Sequence, residues 1–396
     1  MLKRIMLFSG FHLLIFILIM LILSATKIFR TKTVAFKKNV LSEVFVSEGV
    51  AVADVNKDGK TDVLAGAWWW EAPGWKKHEL AIPDTFTYDK GYSTTFLNFA
   101  LDVNLDGWID LIRMDQPGQE MVWYENPKNK EQHWTMRMIL PTAGNEAPQF
   151  VDVDGDGRKD VLCNDNEKKE VVWYRAPVKK GDTLWTRYVI SNDPNIGTHK
   201  YTHGLGYGDL NKDGRKDVII NTGWWEGPAD PKSSSHWKFH PAKLGPNCAD
   251  MIVYDVDGDK DMDVFASSAH DYGIWWYEQV NDGTSSNFIS HLIDSSVSQT
   301  HSLILKDING DGHPDLTTGK RYFAHNGGDR GAYDASMLNW YEFKPGRQPS
   351  WIRHEIDNNS GVGIQFNVED INKDKLQDII ISNKKGVFVF EQVRQE

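Results

Sequence analysis

The 396-residue chain has only two cysteines, Cys163 and Cys248. They fall in repeats that are not neighbours, so no disulfide is expected, and two cysteines say little about compartment. Positive charge is also in short supply: 44 Lys and Arg face 55 Asp and Glu, a net charge of −11. No basic stripe appears, and that speaks against nucleic acid as a partner. One long apolar run stands out, Ile5 to Ala25 after Lys3-Arg4, interrupted by Ser9, Gly10 and His12. It suits a signal peptide or a signal anchor. Leu23-Ser24-Ala25 is a poor cleavage site and both flanks are positive, which favours an uncleaved anchor. Either form places residues 33–396 outside the cytoplasm, in the cell envelope, with 1–32 as membrane segment and basic linker.

What the chain has in abundance is one nine-residue stretch. Its fullest copy is Asp152-Val153-Asp154-Gly155-Asp156-Gly157-Arg158-Lys159-Asp160. Side-chain oxygens stand at the first, third, fifth and ninth positions, and the seventh offers its carbonyl. These are hard oxygen donors of the kind Ca²⁺ takes at about 2.3–2.6 Å. The sixth-position glycine lets the backbone turn with φ > 0 so that the oxygens converge. An aliphatic strand follows where an EF-hand would have a helix and a glutamate, so the pattern predicts a calcium loop between two β-strands.

The stretch occurs seven times. The candidate ligands are Asp54, Asn56, Asp58 and Asp62; Asp102, Asn104, Asp106 and Asp110; Asp152, Asp154, Asp156 and Asp160; Asp209, Asn211, Asp213 and Asp217. They continue with Asp255, Asp257, Asp259 and Asp263; Asp307, Asn309, Asp311 and Asp315; Asp370, Asn372, Asp374 and Asp378. Twenty-three of the 28 are aspartates, so bound Ca²⁺ would cancel much of the net charge. Extracellular calcium modules of this kind fill at millimolar Ca²⁺. Lys260 and Lys375 replace the loop glycine in the fifth and seventh copies, which predicts weaker or empty sites there.

A spacing of about 53 residues points to a propeller or solenoid. Each loop is followed by an aliphatic strand, then an aromatic one such as Trp68-Trp69-Trp70-Glu71 or Trp275-Trp276-Tyr277-Glu278, then a fourth strand such as Trp237-Lys238-Phe239-His240. Four strands per unit and seven units predict an all-β, seven-bladed propeller with four-stranded blades. Most of the sixteen tryptophans fall on third and fourth strands, where they would form the core between blades. The last unit ends after its third strand, and Val34–Val40 resembles a fourth strand with nothing before it. Residues 33–42 are therefore expected to close the last blade.

Strand parity places the calcium loops on one face and the lead-ins to the first strands on the other. Six residues before the first loop aspartate stand Glu48, Glu146, His203 and His301; Asp250, Gln365 and Thr94-Thr95 occupy similar places. The long insertion 318–334 should arch over this end of the channel. Of thirteen histidines, His78, His240, His291 and His354 share a fourth-strand register and read as structural. His199, His203, His270, His301 and His325 fall on the lead-in face. Imidazoles with a few carboxylates suit Zn²⁺ or another transition metal better than Ca²⁺.

The loops, the strands that follow them and the W-[WY]-E endings resemble the FG-GAP/VCBS repeat family, the propellers of integrin α-subunit heads, across residues 34–396. The resemblance implies structural Ca²⁺, or sometimes Mg²⁺, on the loop residues named above. A narrower resemblance is to the propeller of aldos-2-ulose dehydratase/isomerase and related bacterial envelope proteins. It rests on T-G-K-R-Y-F-A-H-N-G-G-D-R-G-A-Y at 318–333 and the histidine before the first strand, and covers the propeller alone, without a cupin-like region. It implies a sugar ligand and a carbon–oxygen lyase that dehydrates keto-sugars with bound zinc. The metal would sit at His203 and His301, assisted by Glu146 or Asp250; His325 or Tyr322 would move the proton, and Lys320 and Arg321 would orient oxygens. The rival expectations are a glycan-binding module and a protein-binding or adhesion scaffold.

Overall fold

The computed structural model describes residues 33–394 apart from 234–235, 249 and 282–285. The apolar run 5–25 lies outside the described residues; among those described, no helix is long and apolar enough to cross a membrane. Residues Ala35–Val393 form one compact unit.

That unit is built from strands, with one short 3₁₀ turn at Ala324–Gly327. The first antiparallel meander runs through Ala51–Ala53, Asp62–Ala65, Trp68–Glu71 and Lys76–Glu79, paired in that order. The second uses Leu97–Leu101, Asp110–Met114, Gln119–Glu125 and the start of the long strand Thr135–Val151. The end of that same strand opens the third, with Asp160–Asp165, Glu170–Arg175 and Thr186–Ser191. The fourth spans Leu205–Gly208 to Lys238–Pro241, the fifth Asp250–Tyr254 to Ser286–Ser298, and the sixth Leu303–Lys306 to Ser350–Asp357. The seventh holds Phe366–Glu369, Asp378–Asn383 and Gly386–Arg394, and its outermost neighbour is Val34–Ser42. The edge that Gly386–Arg394 would otherwise expose is thus paired.

A meander has two apolar faces, and the core lies between consecutive meanders. Ile112 and Trp123 of the second pack with Val161 and Tyr174 of the third. Trp173 and Ile190 of the third pack with Val218 and Trp225 of the fourth, and Val63 and Trp70 of the first pack with Ile380 and Val389 of the seventh. Trp70, Trp123, Trp173 and Trp225 are fully buried. Each such ring removes about 150–250 Å² from water, on the order of 4–6 kcal/mol at 25 cal/mol/Å².

The histidines of the fourth-strand register have one shared job. His78, His240, His291 and His354 stack on Trp69, Trp224, Trp276 and Trp340 with ring centroids 4.1–4.3 Å apart. The Nε2 of each meets the glutamate two residues beyond its tryptophan, Glu71, Glu226, Glu278 or Glu342. Cys163 and Cys248 are buried and unpaired, with burial pushing both thiols up to about 12.

Candidate functional site

The seven loops share a backbone clip that the sequence pattern does not announce. The ninth-position aspartate is buried, and both its oxygens accept main-chain N–H groups. Asp62 Oδ2 takes Val55 N at 3.1 Å and Oδ1 takes Ala72 N at 3.0 Å. The same pair of bonds occurs at Asp110, Asp160, Asp217, Asp263, Asp315 and Asp378. This carboxylate ties the loop's start to the exit of the third strand. Burial raises it, to about 6 at Asp62 and about 7 at Asp110. Each oxygen keeps a second lone pair, so the clip does not exclude an ion. First-position carboxylates accept the N–H groups of their own loops, as Asp54 does from Asp58 and Gly59.

Three carboxylates converge in the third loop (Asp152, Asp154, Asp160) and in the fifth (Asp255, Asp257, Asp259), their oxygens within 4.8 Å of one another. Lys260 and Lys375 adopt φ of 83° and 71°, the left-handed turn that the other copies make with glycine, at some strain for a residue with a Cβ.

At the opposite end, main-chain bonds lace the lead-in segments together. Glu48 N donates to Thr95 O at 3.0 Å, Glu146 N to Thr202 O at 3.0 Å, Asp250 N to His301 O at 3.4 Å and Ile364 N to Glu48 O at 3.1 Å. This lacing brings the register six residues before each loop to one place. Glu146, His203, His301 and His325 each present a ligand atom there, all within 4.8 Å of one another.

Hydrogen bonding sets the tautomers. His301 Nδ1 donates to Gln299 O at 3.0 Å, and His325 Nδ1 donates to the Asp329 carboxylate. The Nε2 atom of each therefore carries a lone pair, and Nε2 of His203, His301 and His325 is buried without a hydrogen-bond partner. His203 Nε2 stands 3.3 Å from Glu146 Oε2. Burial, then the charges of Arg321 and His325, holds His301 well below the usual imidazole range. Burial, then Arg321, lowers His325 to about 4. Burial alone would raise Glu146, but the close approach of His203 and the charges of Arg321 and His325 outweigh it and keep the carboxyl below its ordinary value. Three imidazole nitrogens and one carboxylate fit a transition metal such as zinc. Unpartnered buried lone pairs are costly, and a cation is one partner that would satisfy them.

A cavity of about 260 Å³ opens beside this cluster. Its walls include Tyr92, Phe96, Tyr201, His270 and Arg321. Arg321 is buried, pairs with Glu48 at 3.1 Å and lies over the Tyr92 and Phe96 rings. Tyr92 Oη accepts the His325 N–H at 2.7 Å, so its own hydrogen is what it can offer a ligand. Burial raises the Tyr92 phenol, keeping it protonated at neutral pH.

The insertion, here called the lid, supplies Arg321 and His325 to the cavity wall, with Phe323, His325 and Asn326 at φ of 51°, 50° and 55°. Its lysine and tyrosine point away from the cavity. Lys320 Nζ donates to Ser298 Oγ, Gln299 Oε1 and Gly331 O. Tyr322 packs near Tyr88 and under Lys385. Asp250 accepts from Ser302 Oγ and Leu303 N and is pushed up to about 6 by burial. His199 is exposed and accepts the Tyr201 N–H. Of the expected residues, Glu146, His203, His301, His325 and Arg321 come together; Lys320, Tyr322 and Asp250 do not.

His270 falls on the lead-in face by sequence but without a role there, and Tyr92, Tyr201 and Asp329 carry no mark in the sequence pattern. Asp329 joins His325 to His270, whose Nδ1 is 3.0 Å from the same carboxylate oxygen. Phe96 could have been found, because it stands six residues before Asp102, in the register that locates Glu146, His203 and His301.

A family profile described as FG-GAP-like repeat matches residues 102–163, 152–220 and 255–318. Each match begins on a first loop aspartate and ends in the strand after the next loop. The chain is an all-β protein of the propeller type and carries FG-GAP-like repeats across these residues. Among solved structures it is similar to a lectin of Agrocybe aegerita described as recognising non-reducing terminal N-acetylglucosamine. That likeness is 15% identity over 83% of this chain and 81% of that one, with a TM-score of 0.45. It is also similar to YCF48 from Cyanidioschyzon merolae, at 12% identity over 90% of this chain and 98% of that one, TM-score 0.48. No curated protein matches the sequence.

Proposed function

We propose that the seven meanders close as a seven-bladed propeller, held outside the cytoplasm by the N-terminal segment and stabilised by Ca²⁺ in its loops. Its lead-in face binds one sugar ring beside a transition metal held by Glu146, His203, His301 and His325. The observation that carries this reading is the set of buried, unpartnered imidazole nitrogens next to an aromatic-walled cavity. At about 260 Å³ the cavity is just below the usual range of ligand pockets, about 300–1,000 Å³, which suits a single ring.

The chemistry that fits best is dehydration of a keto-sugar. When bound, the metal supplies Lewis acidity toward the carbonyl oxygen. Arg321 orients a substrate oxygen, and Tyr92, Phe96 and Tyr201 flank the ring. His270, fixed through Nδ1 by Asp329, presents Nε2 as acceptor for the proton on the carbon next to the carbonyl. Tyr92 Oη donates to the departing hydroxyl, so C–H and C–O break, C=C forms and water leaves. The lid keeps bulk water from the intermediate.

The test is the metal content of the full-length chain together with turnover of keto-sugars, followed as enone absorbance. About one equivalent of zinc or a similar ion beside calcium, lost in His301→Ala, is expected. A sugar that binds in the presence of that metal without turnover would make this a glycan-binding module. A chain that holds no transition metal and binds no sugar would return the face to a protein-binding scaffold.

A further inference from the structure

The loops assigned above to calcium are not alike, and the third differs in sign. In six meanders a glutamate closes the aromatic stretch of the third strand: Glu71, Glu125, Glu226, Glu278, Glu342 and Glu391. In the third meander that residue is Arg175.

The position matters because it reaches the loop's third residue. Asn56 Nδ2 donates to Glu71 Oε1 at 3.4 Å, Asn104 to Glu125 at 3.1 Å and Asn309 to Glu342 at 3.4 Å. In the third loop the third residue is Asp154. Arg175 Nε lies 2.6 Å from Asp154 Oδ2, and its Nη2 lies 2.7 Å from Asp156 Oδ2. Lys232, reaching over from the fourth meander, brings Nζ to 3.0 Å from the same Asp154 oxygen. The Asp154 side chain is fully buried beneath them. The remaining oxygens accept the same main-chain N–H groups as in the first and sixth loops: Asp156 N donates to Asp154 Oδ1 at 3.3 Å, Arg158 N to Asp156 Oδ1 at 2.9 Å and Gly157 N to Asp152 Oδ2 at 2.8 Å, so the two cations are what sets the third apart.

The fifth loop is the contrast. Its third residue is also an aspartate, Asp257, but the strand residue is Glu278; burial, then the charges of Asp259 and Glu278, push the Asp257 carboxyl up. Among the described residues no lysine or arginine forms an ion pair with Asp255, Asp257 or Asp259.

We infer that the third loop carries its own counter-ion: Arg175 and Lys232 neutralise Asp154 and Asp156 in the place calcium takes in the other loops. Two fixed cations supply the charge of one divalent ion and repel a second one at close range. The third loop therefore keeps its shape without metal and takes none up. This inference rests on the calcium reading of the other loops.

Hydrogen exchange on the full-length chain, with calcium and after EDTA, tests it. Amides of 152–160 should exchange at rates equal within about twofold in both conditions, while those of 307–315, a loop that keeps both its glycine and its strand glutamate, should exchange at least about tenfold faster without calcium. Bound calcium is then counted in wild type and in Arg175→Glu/Lys232→Ser, where one further equivalent is expected. Calcium-dependent protection of 152–160 overturns the inference, and so does an unchanged count in a variant whose other loops still bind. A wild-type count of zero overturns the calcium reading of every loop and this inference with it; that result is recognisable because the wild type itself is empty. The exchange measurement stands even if the double variant does not fold.

Discussion

The two ends of the meanders use buried carboxylates for opposite purposes. At the loop end, a buried aspartate is repeated in all seven meanders, and each of its oxygens accepts a main-chain N–H. At the lead-in end, one carboxylate and three imidazoles are each drawn from a different point of the chain, and the atoms they turn toward one another are left without hydrogen-bond partners. The repeated arrangement maintains the fold; the unrepeated one costs stability and is where binding chemistry concentrates.

If that division is right, damage at the closing edge should be the most severe of all. Removing residues 33–42 strips Val34–Ser42 from Gly386–Arg394, and with it the ion pair of Lys38 with Asp357 at 2.9 Å. We expect cooperative loss of the fold, read as disappearance of the thermal transition by circular dichroism. A truncated chain that melts like the full one would mean the seventh meander stands without its outer strand.

Next in size is the clip. Asp217 Oδ2 accepts Leu210 N at 2.7 Å and Oδ1 accepts Gly227 N at 2.8 Å, both in buried surroundings. Asp217→Ala leaves two buried N–H groups unmet, so a loss of about 2–5 kcal/mol is expected by urea unfolding. An effect below about 1 kcal/mol would show that the loops are held by something other than these bonds.

The comparison sharpens on two histidines. His240 stacks on Trp224 at 4.2 Å and meets Glu226 at 2.9 Å; His240→Ala should cost about 1 kcal/mol of stability and leave metal content and sugar binding unchanged. His301→Ala should do the reverse, removing the transition metal while changing metal-free stability by less than about 1 kcal/mol. Similar stability losses from both would assign His301 to the structural group.

Much of this division could be read before any coordinates. The loops are legible because every candidate ligand lies within nine residues, so spacing alone defines them. Glu146, His203 and His301 are legible because they share one register on strands of known direction. The lid is not. Its left-handed turns at Phe323, His325 and Asn326 break the alternation by which residues would be assigned to a face, so Lys320 and Tyr322 turn elsewhere while His325 turns in. Tyr92 and Tyr201 come from connections whose path no repeat constrains. Arg175 was visible as an exception among six glutamates, but its role depends on Lys232, and that contact crosses between meanders.

The smallest expected effect concerns the lid's anchorage. Lys384 Nζ donates to Tyr88 O at 3.0 Å and Phe323 O at 3.2 Å and lies 4.4 Å from the Tyr92 ring. Burial lowers this amine to about 8, against an ordinary value of 10.5. Between those two values the unfolded chain holds a proton that the folded chain has released, so folding stability rises with pH across that window. Below about pH 8 both states are protonated, and the folded state bears the full cost of the buried charge. Wild type should therefore gain about 1 kcal/mol on Lys384→Met between pH 7.5 and 10, after allowance for the amine's residual contact with solvent. Urea unfolding of both proteins at the two pH values measures this. A difference that stays flat would mean Lys384 reaches water freely, and the lid's inner end would then be open rather than held by this amine.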